Sequence, residues 1–403
     1  MRQRTTIIIL SITALLLLGV NAYLFMGDTE SAIKKEMSFE ERAAAVVETC
    51  RDAEYRPFCY ETEIPKLLTD INSREAFEVI RAVREADSGY VFCHVLAHKI
   101  GEYEVAKDPE NWLEVLANGP VDGLCSNGYA HGATMARFNV AAFDEAQMAA
   151  ALPEINQACL PRSGYEPTAL QMAMCYHGLG HVFVHLTDAD VPRALAACRY
   201  VTKEGLGAQF STQCVEGVYM QLFQPLEPED IALIEKLPYV PTRATVDEFC
   251  REQSSSEEEF ATCWREAWPL FREEMKSAAG ITAYCGELEE GEGREACLIS
   301  AYTINGRHHL EDPETMARIC NEFEVDASGA CFSRGANAFL EEDPNLVEVG
   351  VAFCARAEAP AALETCYDFL ADIGTFNFHA GGEHHLRLCR ALPEAYQTQC
   401  RGS

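Results

Sequence analysis

The chain lacks the short signatures by which common enzymes are recognised. No H-E-x-x-H, G-x-S-x-G or Walker loop occurs, which removes the familiar metalloprotease, serine-hydrolase and nucleoside-triphosphatase readings. No C-x-x-C is present, so a zinc ribbon or a c-type haem has no motif to rest on. Alternating β-branched segments are nearly absent and alanine is abundant, which argues against sheets and predicts an all-α fold. Basic residues are the scarce charge: 32 Lys and Arg face 63 Asp and Glu, for a formal charge of −31. Nucleic acid and anionic lipid are excluded as partners because both would be repelled. The acids themselves read mostly as solvated helix faces.

What is abundant is cysteine. Eighteen cysteines in 403 residues imply a disulfide framework made in an oxidising compartment. The amino terminus agrees. Thr5 to Met26 carry no charge, a length sufficient to cross a bilayer as a helix. Arg2 and Arg4 precede this run while Asp28 and Glu30 follow it, which keeps the amino terminus in the cytoplasm and places the body outside, in the periplasm or at the cell exterior. A signal peptide cleaved near Val20, Asn21 and Ala22 is the rival reading. Both export the remainder.

From residue 248 the cysteines fall in pairs: Cys250 with Cys263, Cys285 with Cys297, Cys320 with Cys331, Cys354 with Cys366 and Cys389 with Cys400. First members advance by 35, 35, 34 and 35 residues, second members by 34, 34, 35 and 34. A period near 34 is that of a stacked helical hairpin. In each unit an acidic or proline start such as Asp312-Pro313 opens a helix that runs into the first cysteine. A polar loop follows, and the second cysteine is expected to open the next helix. One bond per unit would contribute on the order of 3 kcal/mol. Upstream, Cys159/Cys175, Cys198/Cys214 and Cys50/Cys59 follow the same grammar, leaving Cys93 and Cys125 as the remaining pair. Gly128, Gly178 and Gly217 each stand three residues after a cysteine, and glycine inside a helix suggests close helix approach.

The repeat resembles the tetratricopeptide-type helical repeats, in their secreted, disulfide-bridged form, over residues 245 to 403 and more loosely over 90 to 220. It lacks that family's aromatic and glycine signature between helices. The resemblance implies a curved α-solenoid used to bind proteins, here an exported partner; it implies no reaction. The expected organisation is a membrane anchor or signal segment over 1–27, a helical region over 28–90, a histidine-bearing helical region over 91–224, a proline-rich break over 225–247 and cysteine-paired repeats over 248–403.

Six of the eleven histidines lie between 94 and 185, each group shortly after a cysteine. His177, His181 and His185 recur every four residues, as do His94 and His98, so each set forms a stripe on one helix face. Paired imidazoles at that spacing suit one transition-metal ion. The stripe at 177, 181 and 185 is roughly 12 Å long and cannot serve a single ion. His98, His131 and His181 stand five, six and six residues after their cysteines, so three helices packed side by side would bring them together. His94, His98, His131, His177 and His181 are the expected ligands. His185 is a weaker candidate, for a second metal or a supporting role, and Glu102 is a candidate supporting carboxylate or general base. Zinc is the first choice of ion, with copper or iron as alternatives. Zinc would imply hydrolysis by a metal-bound water, copper or iron oxygen or electron chemistry. The competing expectation is a scaffold without catalysis, presenting a concave acidic surface to another exported protein. His308, His309, His379, His384 and His385 read as polar positions near helix ends.

Overall fold

Helices begin where the sequence supplies caps. Ser38, Asn72, Asp144 and Thr168 each accept a hydrogen bond from the backbone N–H three residues on, and the Glu or Gln at that position bonds back to the cap. The computed structural model describes residues 37–87, 89–90, 93–120, 124–125, 128–138, 142–225 and 228–402. The apolar run from Thr5 to Met26 lies outside these residues, and with it the expected anchor or signal segment. No helix among the described residues is long and apolar enough to cross a membrane. Nor is there a strand among them; one isolated bridge joins Arg162 to Tyr165.

The chain divides after Tyr90 into two compact units. The first contains α1 (Phe39–Cys50), α2 (Arg56–Glu63) and α3 (Ser73–Ala86). Helix α1 packs on α3, and buried Asp87 accepts a 2.6 Å bond from Tyr60 while pairing with Arg56 at 2.9 Å.

The second unit is a solenoid-like series of helical hairpins. Its members are α4 (His94–Lys107), α5 (Trp112–Ala117), α6 (Gly128–Phe138), α7 (Glu145–Ile155), α8 (Ala169–Leu186), α9 (Val191–Val201) and α10 (Ser211–Phe223). The short α11 (Pro228–Ile234) lies within the proline-rich stretch. After it come α12 (Val246–Gln253), α13 (Glu257–Glu266), α14 (Ala278–Gly286), α15 (Glu292–His308) and α16 (Pro313–Asn321). The series ends with α17 (Val325–Glu342), α18 (Val347–Cys354), α19 (Pro360–Asn377), α20 (Glu383–Ala391) and α21 (Glu394–Gly402). One row packs in the order α4, α6, α8, α10, α13, α15, α17, α19, α21, each on the next. The row curves so strongly that α19 also packs on α8. Residues five helices apart in the row therefore become neighbours.

All eighteen cysteines are paired, in the nine combinations expected from the spacing, Cys93–Cys125 included. Such a framework is consistent with an oxidising, extracytoplasmic environment. The helix starts differ from expectation. The second cysteine of a unit generally does not open its helix but lies inside it: Cys331 in α17, Cys297 in α15 and Cys366 in α19. The segment from Val325 to Ala330, expected as loop, is the first part of α17. Its polar residues Asp326 and Ser328 are compatible with a helix entrance, where acidic groups face the positive end of the dipole.

Glycine sets how closely the histidine helices approach. A Cβ on Gly128 would lie 2.4 Å from the His94 carbonyl oxygen, and one on Gly217 would lie 1.9 Å from that of His177. Ordinary heavy-atom contacts need about 3.5 Å, so only glycine permits backbone-to-backbone contact between α4 and α6 and between α8 and α10.

Candidate metal centre

Helices α4 and α6 bring three ring nitrogens to one point. His98 Nε2 lies 3.0 Å from His94 Nε2 and 3.3 Å from His131 Nδ1, and the three ligand atoms fall within 4.8 Å of one another. Nitrogens bound at about 2.0–2.1 Å to a tetrahedral zinc lie roughly 3.3 Å apart. The spacing therefore fits a shared ion.

The outer partners fix where the protons are. His94 Nδ1 lies 3.2 Å from the Cys125 carbonyl oxygen, and His131 Nε2 lies 3.3 Å from that of Met174. A carbonyl oxygen only accepts, so each facing nitrogen donates its proton outward. The other nitrogen of each ring then carries a lone pair directed inward. His98 Nε2 sits between those two lone pairs, and its single proton cannot satisfy both equally. A cation at that point satisfies all three. Cys93–Cys125 contributes directly, because the bond holds the Cys125 carbonyl beside the first turn of α4.

A third helix adds two more imidazoles. On α8, His177 Nε2 and His181 Nε2 are 3.1 Å apart. The His131 ring lies between the two groups, with its centroid 5.4 Å from that of His181 and 6.2 Å from that of His177. Five rings thus occupy one continuous cluster, four of them buried and His177 part-buried. Burial, followed by the Coulombic influence of neighbouring histidines, holds His98, His131 and His177 well below the ordinary imidazole pKa. His181 is lowered by burial, against the opposing effects of its bond to Gln221 and the charge of Asp230. These rings are neutral near pH 7, the state in which imidazole ligates metal. Arg307 on α15 and Arg265 on α13 also depress His177, an effect that the curvature of the row makes possible.

His185 stands apart. Positions four apart advance by about 40° around a helix, so two steps turn a side chain well away from the start of the stripe. His185 Nε2 meets Asp230 Oδ1 at 3.1 Å instead. Glu102 lies one turn beyond His98 on α4, part-buried. The histidines of the repeats remain outside the cluster: His308 packs edge-on to Trp268 with centroids 5.0 Å apart, and His379 is exposed. His385 approaches Cys389 and Cys400 closely enough to form a second potential ligand group. Those sulfurs are bonded to each other, and His385 is occupied, accepting from Gly381 N–H and donating to the Cys400 carbonyl. A disulfide offers no thiolate, so that group holds an ion only if the bond is reduced.

The spacing argument did not find Met220, Gln221 or Asp230. Met220 Sδ lies 3.2 Å from His177 Nε2, and Gln221 Oε1 lies 2.5 Å from His181 Nδ1. A signal existed for Met220: it stands six residues after Cys214, the register of His131 after Cys125 and His181 after Cys175. No protein-family model, curated protein or solved structure matches the chain.

Proposed function

We propose that this chain is an exported metal-binding protein whose helical repeats carry a histidine-ligated transition-metal centre on α4 and α6, extended by α8. The observation that carries this reading is that a backbone carbonyl faces one ring nitrogen of His94 and one of His131. The proton of each ring is thereby drawn outward, leaving two lone pairs aimed at a third imidazole nitrogen. Hydrogen bonding alone gives no reason for two backbone carbonyls to orient two rings toward the same nitrogen, and outer partners of this kind characteristically orient metal ligands.

The all-imidazole group suits zinc, with copper and iron as alternatives. If zinc is resident and a coordination position stays open, a bound water becomes acidic near neutral pH. Glu102, one turn along α4 from His98, is then the carboxylate for proton transfer. The scaffold reading is less favoured for a specific reason. A solenoid that binds partners presents its inner face, whereas here α19 packs back on α8 and acids of the inner row are paired with arginines, as in Arg265–Glu216 and Arg307–Glu341.

The test is metal analysis of protein prepared without a histidine tag, alongside a His98→Ala/His131→Ala variant. Wild type is expected to retain or take up close to stoichiometric metal and to melt higher with it; at free metal about 100-fold above Kd the gain is about 2.7 kcal/mol. The variant is expected to lose both effects at this group. Wild type that takes up no ion on reconstitution and melts at an unchanged temperature overturns the proposal.

A further inference from the structure

We infer that His177, His181 and Met220 form a second site, chemically unlike the first, that takes monovalent copper. This rests on the metal-binding reading above and adds to it a soft donor from α10, which makes the α8 imidazoles a site of their own beside the group on α4 and α6. Those helices touch along their glycines: a Cβ on Gly180 would lie 2.2 Å from the Cys214 carbonyl oxygen, and one on Gly217 would lie 1.9 Å from that of His177. This contact is what brings the Met220 thioether to 3.2 Å from His177 Nε2.

The proton logic of the first site recurs. The Gln221 amide oxygen at 2.5 Å accepts from His181 Nδ1–H, so His181 Nε2 carries a lone pair. That nitrogen lies 3.1 Å from His177 Nε2. His177 Nε2 therefore faces a lone pair of His181 and a sulfur lone pair of Met220 at nearly equal distance. One ring proton can serve only one of them, whereas a cation at that point serves all three. Asp230, the acid whose charge acts on His181, is engaged by His185, and the atoms that meet at this point are those of two imidazoles and a thioether. Hard divalent ions prefer oxygen, while thioether with imidazole selects monovalent copper. His177 and Met220 are only part-buried, whereas His181 is buried. Access is therefore from the side of the thioether.

The repeat register supports the assignment independently. The sixth residue after the cysteine is His131 on α6, His181 on α8 and Met220 on α10. All three contribute an atom to one of the two groups. The substitution of sulfur for nitrogen in the last helix is what makes the sites different.

The experiment is anaerobic titration of the folded protein with monovalent copper against a chromophoric chelator, followed by copper X-ray absorption. Wild type is expected to show sulfur scattering, replaced by selenium scattering when its methionines are exchanged for selenomethionine. In Met220→Leu, which conserves size and apolarity, the sulfur shell should vanish and one copper equivalent should bind at least about 10-fold more weakly. In His98→Ala/His131→Ala the sulfur-containing site should survive. Copper bound by wild type without a sulfur or selenium shell, or a shell that persists in Met220→Leu, overturns this inference and leaves the proposed function standing. Absence of any metal uptake by wild type overturns both. The selenium measurement on wild type decides the matter even if the leucine variant does not fold.

Discussion

Replacing Gly178 by alanine should disable the histidine centre without altering any ligand. A Cβ at this position would stand 2.1 Å from His131 Cδ2 and 2.4 Å from its Nε2. Carbon atoms in ordinary contact are about 3.5–4.0 Å apart, so the ring must withdraw by roughly 1.5 Å. Metal–ligand distances tolerate only about 0.2 Å. The displacement therefore removes His131 Nδ1 from the group and breaks the 3.3 Å bond by which Met174 holds the ring. Loss of an orienting partner alone typically costs about 10–100-fold in metal affinity, and here a ligand goes with it; a loss of at least about 100-fold is expected. The effect on folding is smaller. Overpacking costs about 1–3 kcal/mol, and the helix preference of alanine over glycine offsets about 1 kcal/mol of that. The assay pairs a chelator-competition titration with thermal melting of the metal-free protein. Gly286→Ala is the control, since nothing lies within 4 Å of the Cβ it would add, and it should leave affinity unchanged. A Gly178→Ala protein that binds metal as tightly as wild type would refute the assigned role of His131.

Removing the bond between Cys93 and Cys125 with serine at both positions should lower stability by about 4 kcal/mol, from the chain entropy of a 32-residue separation. It should also weaken metal binding, because the Cys125 carbonyl that orients His94 is released. The same change at Cys389 and Cys400 should lower the melting temperature while leaving metal affinity intact; equal metal affinity in the two variants would contradict the role given to Cys125. Glu266 supplies a pH test. Burial, then repulsion by Glu216, raises its carboxyl from 4.5 to about 8. The folded state thus holds that proton more tightly than the unfolded chain, so its contribution is complete below pH about 4.5 and is lost as pH rises toward about 8. Urea unfolding across this range should show a decline that Glu266→Gln flattens; wild type gaining stability relative to the variant as pH rises would reverse the sign and sink the argument.

The pairing of cysteines was legible in the sequence because each staple closes a short, regularly repeated segment, and a period near 34 survives any detail of packing. Helix starts were less legible. A cysteine marks where two helices are tied, not where one begins, and α17 starts six residues before Cys331 because its entrance is itself compatible with a helix. Histidine clustering was visible from equal offsets after Cys125 and Cys175. The role of Met220 was not, since a methionine on a helix face reads first as core.

By itself, then, the sequence determined the all-α class, the covalent framework and the faces on which the imidazoles lie, all consequences of local periodicity. Only the tertiary structure decided which rings share a centre. That decision depends on glycines that let backbones touch, on two carbonyls and an amide that turn ring protons outward, and on the 40° drift per step that carries His185 away to Asp230. Backbone carbonyls exist at every position, so nothing in the order of side chains could indicate which of them would come to face a histidine.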